Sequence, residues 1–349
     1  MQSRYFNHFL FILLLFIAFI VSQRNFEIGA DTDSYKYYHS FIIDADSYNP
    51  LALEPAFYIL YRISIFITDN FRFFLFLEYI LFNILYFIFY RSMTVLLNQK
   101  YSYIQTLTFI GFTLISSWYL LYSLNGLRQG LATPIIYLSF ILFIKRKYIQ
   151  SFILILLATA FHSMSILLLP FFIFYKFNFK TVFTFFIVFA FFYFIYLNNL
   201  ILQLFCNSVG LSSLYQFIIN YGGPDAPDRG PVIKFLIYTL GMPLLFFFIS
   251  RRILNKTEYL NFKHVLKFYF ILSFPYFFLA YGGYSGRLAL YSWFLVPYLY
   301  SFIICRSTII IKERITISLT IFIFGLFSYL LLLNSDKLPL YFRGIWGNV

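Results

Sequence analysis

Arg128 sits in Asn125-Gly126-Leu127-Arg128-Gln129-Gly130, a polar break between two apolar runs. Arg287 sits in Gly282-Gly283-Tyr284-Ser285-Gly286-Arg287, again just before an apolar run. A helix starting at either place presents free backbone N–H groups and a positive dipole end. The neighbouring glycines let backbone approach a ligand closely. A guanidinium beside such a helix start suits a diphosphate, because its planar fork meets phosphate oxygens in pairs. The plainer alternative is an arginine that snorkels to lipid headgroups or pairs with Glu54 or Glu78.

Other polar residues carry weaker signals. His162 follows Leu156-Leu157-Ala158-Thr159-Ala160-Phe161 at the end of a short apolar run. A lone histidine there is more often a hydrogen-bonded structural group, but its position leaves a role as base or donor open. Asp31-Thr32-Asp33 has the D-x-D form of some metal-dependent sugar transferases, with a solvated loop as the default. Glu54-Pro55 opens an apolar stretch, and helix capping accounts for the pair without function. Glu78 lies inside a span, so an inward orientation and a partner are expected.

These residues must be positioned by membrane helices. The chain has 349 residues, 61% hydrophobic and 25% aromatic, with only 11% charged. Its mean hydropathy is +0.79. Apolar runs near the ~20 residues of a bilayer crossing recur throughout. The composition therefore describes an all-α, polytopic membrane protein, a single integral membrane domain over 1–349 with no room for a soluble one. About eleven spans are expected, near 5–22, 71–90, 103–122, 130–144, 148–161, 163–175, 181–200, 233–250, 266–281, 288–304 and 315–333. Segments 148–161 and 163–175 are too short to cross comfortably, which leaves tilted spans or half-helices meeting at His162 as alternatives. The stretch 55–68, with Arg62, reads as a short interfacial helix, because counting it as a span inverts every later loop.

With that helix excluded, the basic loops all fall on the side of Arg4, Lys145-Arg146-Lys147 and Arg251-Arg252 among them. The positive-inside rule makes that side, and the N-terminus, cytoplasmic. Most acidic residues collect opposite, in two outer loops of about 23–70 and 201–232. The second is rich in Gly and Pro and reads as an ordered loop, not a helix. The N-terminal apolar run lacks a small-x-small cleavage site and reads as an uncleaved first span. Cys206 and Cys305 fall on opposite faces, which argues against a disulfide. The net charge of +13 is dispersed in short loops and points to anionic membrane lipids, not nucleic acid.

Taken in order, several short motifs resemble the EpsG/Wzy type of polysaccharide polymerase. They are Gly29-x-Asp31 followed by Tyr35 and Tyr38, Glu54-Pro55-x-Phe57, and Leu127-Arg128-Gln129-Gly130-Leu131-Ala132. Ala160-Phe161-His162-Ser163 and Arg287 followed by Tyr291 complete the set, which covers about residues 29–291. The resemblance implies a bacterial inner-membrane glycosyltransferase of O-antigen or capsule assembly with a GT-C-like helical fold. Such an enzyme joins oligosaccharide repeat units carried on undecaprenyl diphosphate at the periplasmic face.

On that resemblance Arg128 and Arg287 bind the donor diphosphate, whose negative charge grows in the transition state. The base is His162 or a first-loop carboxylate, Asp31, Asp33 or Glu54. Tyr35, Tyr38, Tyr221 and Tyr284 are candidate sugar-stacking surfaces. No cofactor is expected, since the donor arrives activated and arginines can replace a metal; a divalent metal stays open. The implied partners are lipid-linked donor and acceptor, membrane lipids and a chain-length regulator protein. Two other readings compete with this one. A ligase also needs outward-facing arginines, whereas a flippase needs charges deep in several spans, and most spans here are empty of charge.

Overall fold

The structure is a computed structural model that describes residues 2–23, 32–45, 54–99, 103–116, 119, 126–220, 223, 229–283 and 285–306. Every regular element among them is helical. The helices are α1 (Gln2–Ser22), α2 (Thr32–Ala45), α3 (Pro55–Ile67), α4 (Phe71–Leu96), α5 (Tyr103–Ile115), α6 (Leu127–Ile144) and α7 (Tyr148–Phe161). A 3₁₀ helix, Ser163–Lys176, follows. Then come α8 (Phe179–Phe194), α9 (Leu197–Ser208), α10 (Ser212–Ile219), α11 (Ile233–Ile253), α12 (Lys256–Leu279), α13 (Gly286–Trp293) and α14 (Val296–Arg306).

Among the described residues, α4, α6, α11 and the pair α13–α14 are long and apolar enough to cross a membrane. The pair α8–α9 makes five if it counts as one span, although it bends by 90°. The expected count of about eleven is not confirmed. Where spans were expected, the helices α5 and α7 run only 13 and 14 residues, and the short α3 fits the interfacial helix expected at 55–68. At about 1.5 Å per residue these are too short for a core of roughly 30 Å. The span expected at 315–333 lies outside the described residues. No disulfide joins Cys206 to Cys305.

The described helices form two compact units, one from residues up to Tyr103 with Leu114–Leu169, the other from Ile104–Thr113 with residues 170–306. In the first unit α4 packs against α1, α3 and α6, and α7 packs against α3 and α6. Lipid offers no hydrophobic gain from helix contact, so packing and polar contacts must hold such a bundle. The contacts fit that demand. Tyr61 of α3 stacks on Phe74 of α4 at 3.9 Å between ring centroids. Tyr119 hydrogen-bonds to the Tyr79 hydroxyl at 2.7 Å and to Asn83 Oδ1 at 2.5 Å. In the α6–α7 hairpin the Ser139 hydroxyl donates to the Ser151 carbonyl at 2.7 Å. The tight turn between them puts Arg146 at φ 60°. Arg72 Nη1 donates to the Gln23 carbonyl at 2.8 Å, tying the start of α4 to the end of α1.

In the second unit α12 lies at the centre, in contact with α8, α9, α11, α13 and α14. Lys267 of α12 donates from Nζ to the Tyr175 carbonyl at 2.6 Å, serving an acceptor left over at the end of the 3₁₀ helix. Trp293 Nε1 donates to Thr239 Oγ1 at 2.8 Å. The bend between α8 and α9 falls at Tyr196, which adopts φ 62°. Asn198 spans that bend, donating from Nδ2 to the Phe189 carbonyl at 2.9 Å and the Phe277 carbonyl at 3.1 Å. The segment 201–232, expected to be a loop, instead contains the end of α9 and all of α10. Apolar residues at helical spacing (Leu197, Leu200, Ile201, Leu204 and Phe205) make a short amphipathic helix, a period masked by the turn residues that follow.

Candidate functional site

Glu54 stands at the N-cap of α3 with Pro55 in the first turn, as the dipeptide predicts. Its side chain makes no capping hydrogen bond, so the capping account of this carboxylate is incomplete. The carboxylate leaves its own helix and bridges two others. Oε2 accepts from Arg128 Nη1 at 2.6 Å. Oε1 accepts from the backbone N–H of Ser163 at 3.2 Å and lies 3.6 Å from His162 Nδ1. Glu54 and His162 are 14% and 9% exposed at their side chains, and Arg128 is 29% exposed.

Each partner is delivered by a local feature of the chain. Gly126 is the N-cap of α6, which brings Arg128 into the first helical turn. His162 ends α7 in an extended conformation, φ −154° and ψ 110°, before the 3₁₀ helix begins. That break, where α7 and the 3₁₀ helix meet at His162, turns the Ser163 N–H toward Glu54. Both α6, with 18 residues, and α7, with 14, run from the basic turn Lys145-Arg146-Lys147. At about 1.5 Å per residue, Arg128 and His162 sit roughly 20–27 Å from that turn, at the opposite ends of the two helices.

Tyr35 of α2 completes the cluster. It is buried, and the Arg128 guanidinium carbon lies 5.8 Å from the centre of its ring. The Tyr61 hydroxyl donates to the Tyr35 carbonyl at 3.0 Å, and Phe57 packs on the same ring at 5.6 Å. Tyr35 thus underlies an arginine and leaves no open face for a sugar. Tyr38 is half-buried, 5.9 Å from the Tyr37 ring.

The electrostatics follow from this crowding. Burial pulls the Glu54 carboxyl up, but His162 and Arg128 outweigh it and hold the group at about 2. Glu54 is therefore ionised throughout the physiological range. An arginine paired to a partly buried carboxylate is the plainer reading of Arg128, and that pairing is present. Two further facts set it apart from a simple ion pair. The carboxylate gives only one oxygen to Arg128, and the other faces a histidine at a helix break.

Arg287 belongs to the second unit, in the first turn of α13. Its preceding glycine has a packing reason: a Cβ on Gly286 would lie 2.8 Å from Phe235 Cε2. Asp31, Tyr221, Tyr284 and the side chain of Asp33 lie outside the described residues. Among the described residues no cluster of three or more His, Cys, Asp or Glu could hold a metal ion. The Ser163 N–H and Tyr61 were missed from the sequence. A backbone donor has no side-chain signature, and one tyrosine among 32 carries none.

No curated protein and no solved structure matches the chain. The model of the EpsG family matches residues 7–342, a range that includes Glu54, Arg128, His162 and Arg287. That membership fits a polysaccharide polymerase, a multi-pass membrane protein of polysaccharide biosynthesis. With nearly its whole length matched, and with the residues of the Glu54 cluster inside the match, this chain belongs to the EpsG family.

Proposed function

We propose that the protein is an O-antigen or capsule polysaccharide polymerase, a glycosyltransferase on a GT-C-like helical scaffold in the bacterial inner membrane. It joins oligosaccharide repeat units carried on undecaprenyl diphosphate at the periplasmic face. The observation that carries this reading is the Glu54 carboxylate shared between Arg128 and the helix break at His162. The cluster pairs a cation with a candidate base at the depth of a lipid headgroup, opposite the basic turn.

In the reaction a hydroxyl at the non-reducing end of the acceptor attacks the anomeric carbon of the donor glycan. The new C–O bond forms as the bond to the diphosphate breaks, and the electron pair leaves with the diphosphate. Arg128 is assigned to that growing negative charge. His162 takes the hydroxyl proton, since a carboxylate held at about 2 is a poor proton acceptor near neutral pH. Glu54 supports the imidazolium that results, as a carboxylate does beside any basic histidine. Arg287 is retained as a separate diphosphate candidate within the second unit, and Tyr38 as a sugar-stacking candidate.

The experiment is deletion of the gene in a smooth strain. Lipopolysaccharide capped by a single repeat unit is the expected result. Complete loss of O-antigen would replace this reading with a ligase or a flippase.

A further inference from the structure

Tyr35, which underlies Arg128, belongs to a helix seated by one narrow stripe. Along α2 the buried residues are Thr32, Tyr35, His39 and Ile42, a single face at helical spacing. Lys36, Tyr37, Ser40 and Phe41 are exposed. The stripe rests on α3 and on the start of α4. Tyr35 meets Phe57 at 5.6 Å and accepts the Tyr61 hydroxyl on its carbonyl at 3.0 Å. One turn on, His39 sits in a cage of rings, 5.8 Å from Tyr61, 5.4 Å from Phe71 and 6.4 Å from Phe74. Tyr61 therefore serves both, its hydroxyl holding Tyr35 and its ring walling His39.

A histidine is a costly choice for that cage. His39 is 3% exposed, and its Nε2 has no hydrogen-bond partner among the described residues. As a neutral ring it packs like any small aromatic. As an imidazolium it would bury a second N–H donor and a charge with no acceptor at Nε2. The charged and titratable groups around the seat are few. On α3 they are Tyr61 and the exposed Arg62; in the joint between α3 and α4, the exposed Asp69. At the start of α4, Arg72 is engaged with the Gln23 carbonyl and Oε1 at 2.8 and 3.0 Å. On α2 itself they are Tyr35 and the exposed Lys36. Burial outweighs the pull of Asp69 and holds the His39 imidazole below its ordinary 6.5.

We propose that α2 is an acid-sensitive clasp on Arg128: a neutral His39 seats the helix with Tyr35 beneath the arginine, and a protonated His39 unseats it. What Arg128 does when so placed rests on the polymerase reading given above. The direction follows from where the proton binds better. The unseated helix gives His39 its ordinary 6.5, so seating is at full strength above that pH and weakens as pH falls below it. Each pH unit below 6.5 costs at most about tenfold in the seating equilibrium. Release takes the Tyr35 ring, now 5.8 Å from the guanidinium carbon, away from Arg128. Acid on the face that carries α2 thus slows chain extension by loosening the cation of the site.

The test is hydrogen–deuterium exchange read by mass spectrometry, on the full chain in nanodiscs at pH 7.5 and 5.5. Rates are corrected for the intrinsic pH dependence of amide exchange. In the wild type, peptides of α2 should lose about tenfold in protection at pH 5.5 while those of α3 and α4 hold theirs. His39→Phe fills the cage with a ring that takes no proton and should leave α2 equally protected at both pH values. His39→Leu, a smaller side chain, repeats the comparison without overfilling the cage. Tyr61→Phe should lower α2 protection at both pH values and keep the step between them. In polymerisation assays His39→Phe should retain up to about tenfold more of its pH 7.5 rate at pH 5.5 than the wild type does. Equal protection of wild-type α2 at both pH values overturns the clasp, and so does an undiminished step in both His39 variants. Equal acid loss of rate in wild type and His39→Phe overturns the link to Arg128. The two readings fail separately: a pH step without polymer sinks the polymerase assignment, whereas polymer without the step sinks only the clasp.

Discussion

Arg128→Ala tests the centre of the cluster, and its effect divides into two parts that can be measured apart. The first is stability. His162 and Arg128 together bring the Glu54 carboxyl from 4.5 to about 2. A net shift of that size, left after burial's opposing pull, is worth roughly 3 kcal/mol, of which Arg128 holds a share beside His162. Because the guanidinium is 29% exposed, solvent screening lowers that share, to about 1–2 kcal/mol. The second part is activity. Losing a fixed donor to a departing anion costs about 3–4 kcal/mol of barrier, a hundred- to thousandfold in rate. Purified protein and lipid-linked repeat unit would give the rate from chain-length distributions, and a thermal melt in detergent would give the stability. Arg128→Lys restores the charge but not the fork, so most of the lost stability should return and no more than about tenfold of the rate. Wild-type chain lengths from Arg128→Ala at normal protein level would refute the diphosphate assignment outright.

Further outcomes follow from the same geometry. Since the Glu54 carboxyl lies below its ordinary value in the folded protein, its ion pair stabilises fully above pH 4.5 and is lost as pH falls through about 2. The melting difference between wild type and Glu54→Gln should therefore hold steady from pH 8 to 5 and shrink below 4.5; a constant difference down to pH 3 contradicts the assignment. Gly230 adopts φ +71°, and a Cβ there would lie 2.7 Å from the Tyr196 hydroxyl. Gly230→Ala should lose about 1–3 kcal/mol, read as a lower melting midpoint. Adding Tyr196→Phe should return only the contact share, and a wild-type midpoint for Gly230→Ala alone would show the turn to be unstrained.

Much of this architecture was legible in the chain. Apolar runs showed that the protein is helical and membrane-embedded, because backbone in lipid must satisfy its own hydrogen bonds. The break at His162 was readable from two runs too short to cross. The start of α6 was readable from glycine and polarity only to within a few residues: expected near residue 130, it falls at Leu127, which puts Arg128 in the first turn. The bend at Tyr196 was not, because an aromatic residue in an aromatic run gives no sign of φ 62°. The short helices α9 and α10 were hidden for a related reason, as turn residues farther along dominated the reading of that segment.

The clearest division lies at Glu54. Sequence alone determined the helix that begins there, since Glu-Pro is a local signal and local signals set helix ends. It also determined that Arg128 and His162 are the unusual polar residues of their segments. Only the tertiary structure decided that these three meet, across 74 residues from Glu54 to Arg128 and 109 to Ser163. It decided as well that Tyr35 underlies the arginine instead of facing a sugar. The reason is physical. Helix boundaries follow from neighbours a few residues away, whereas the direction of a carboxylate follows from whichever charge the packing of α3, α6 and α7 brings within reach.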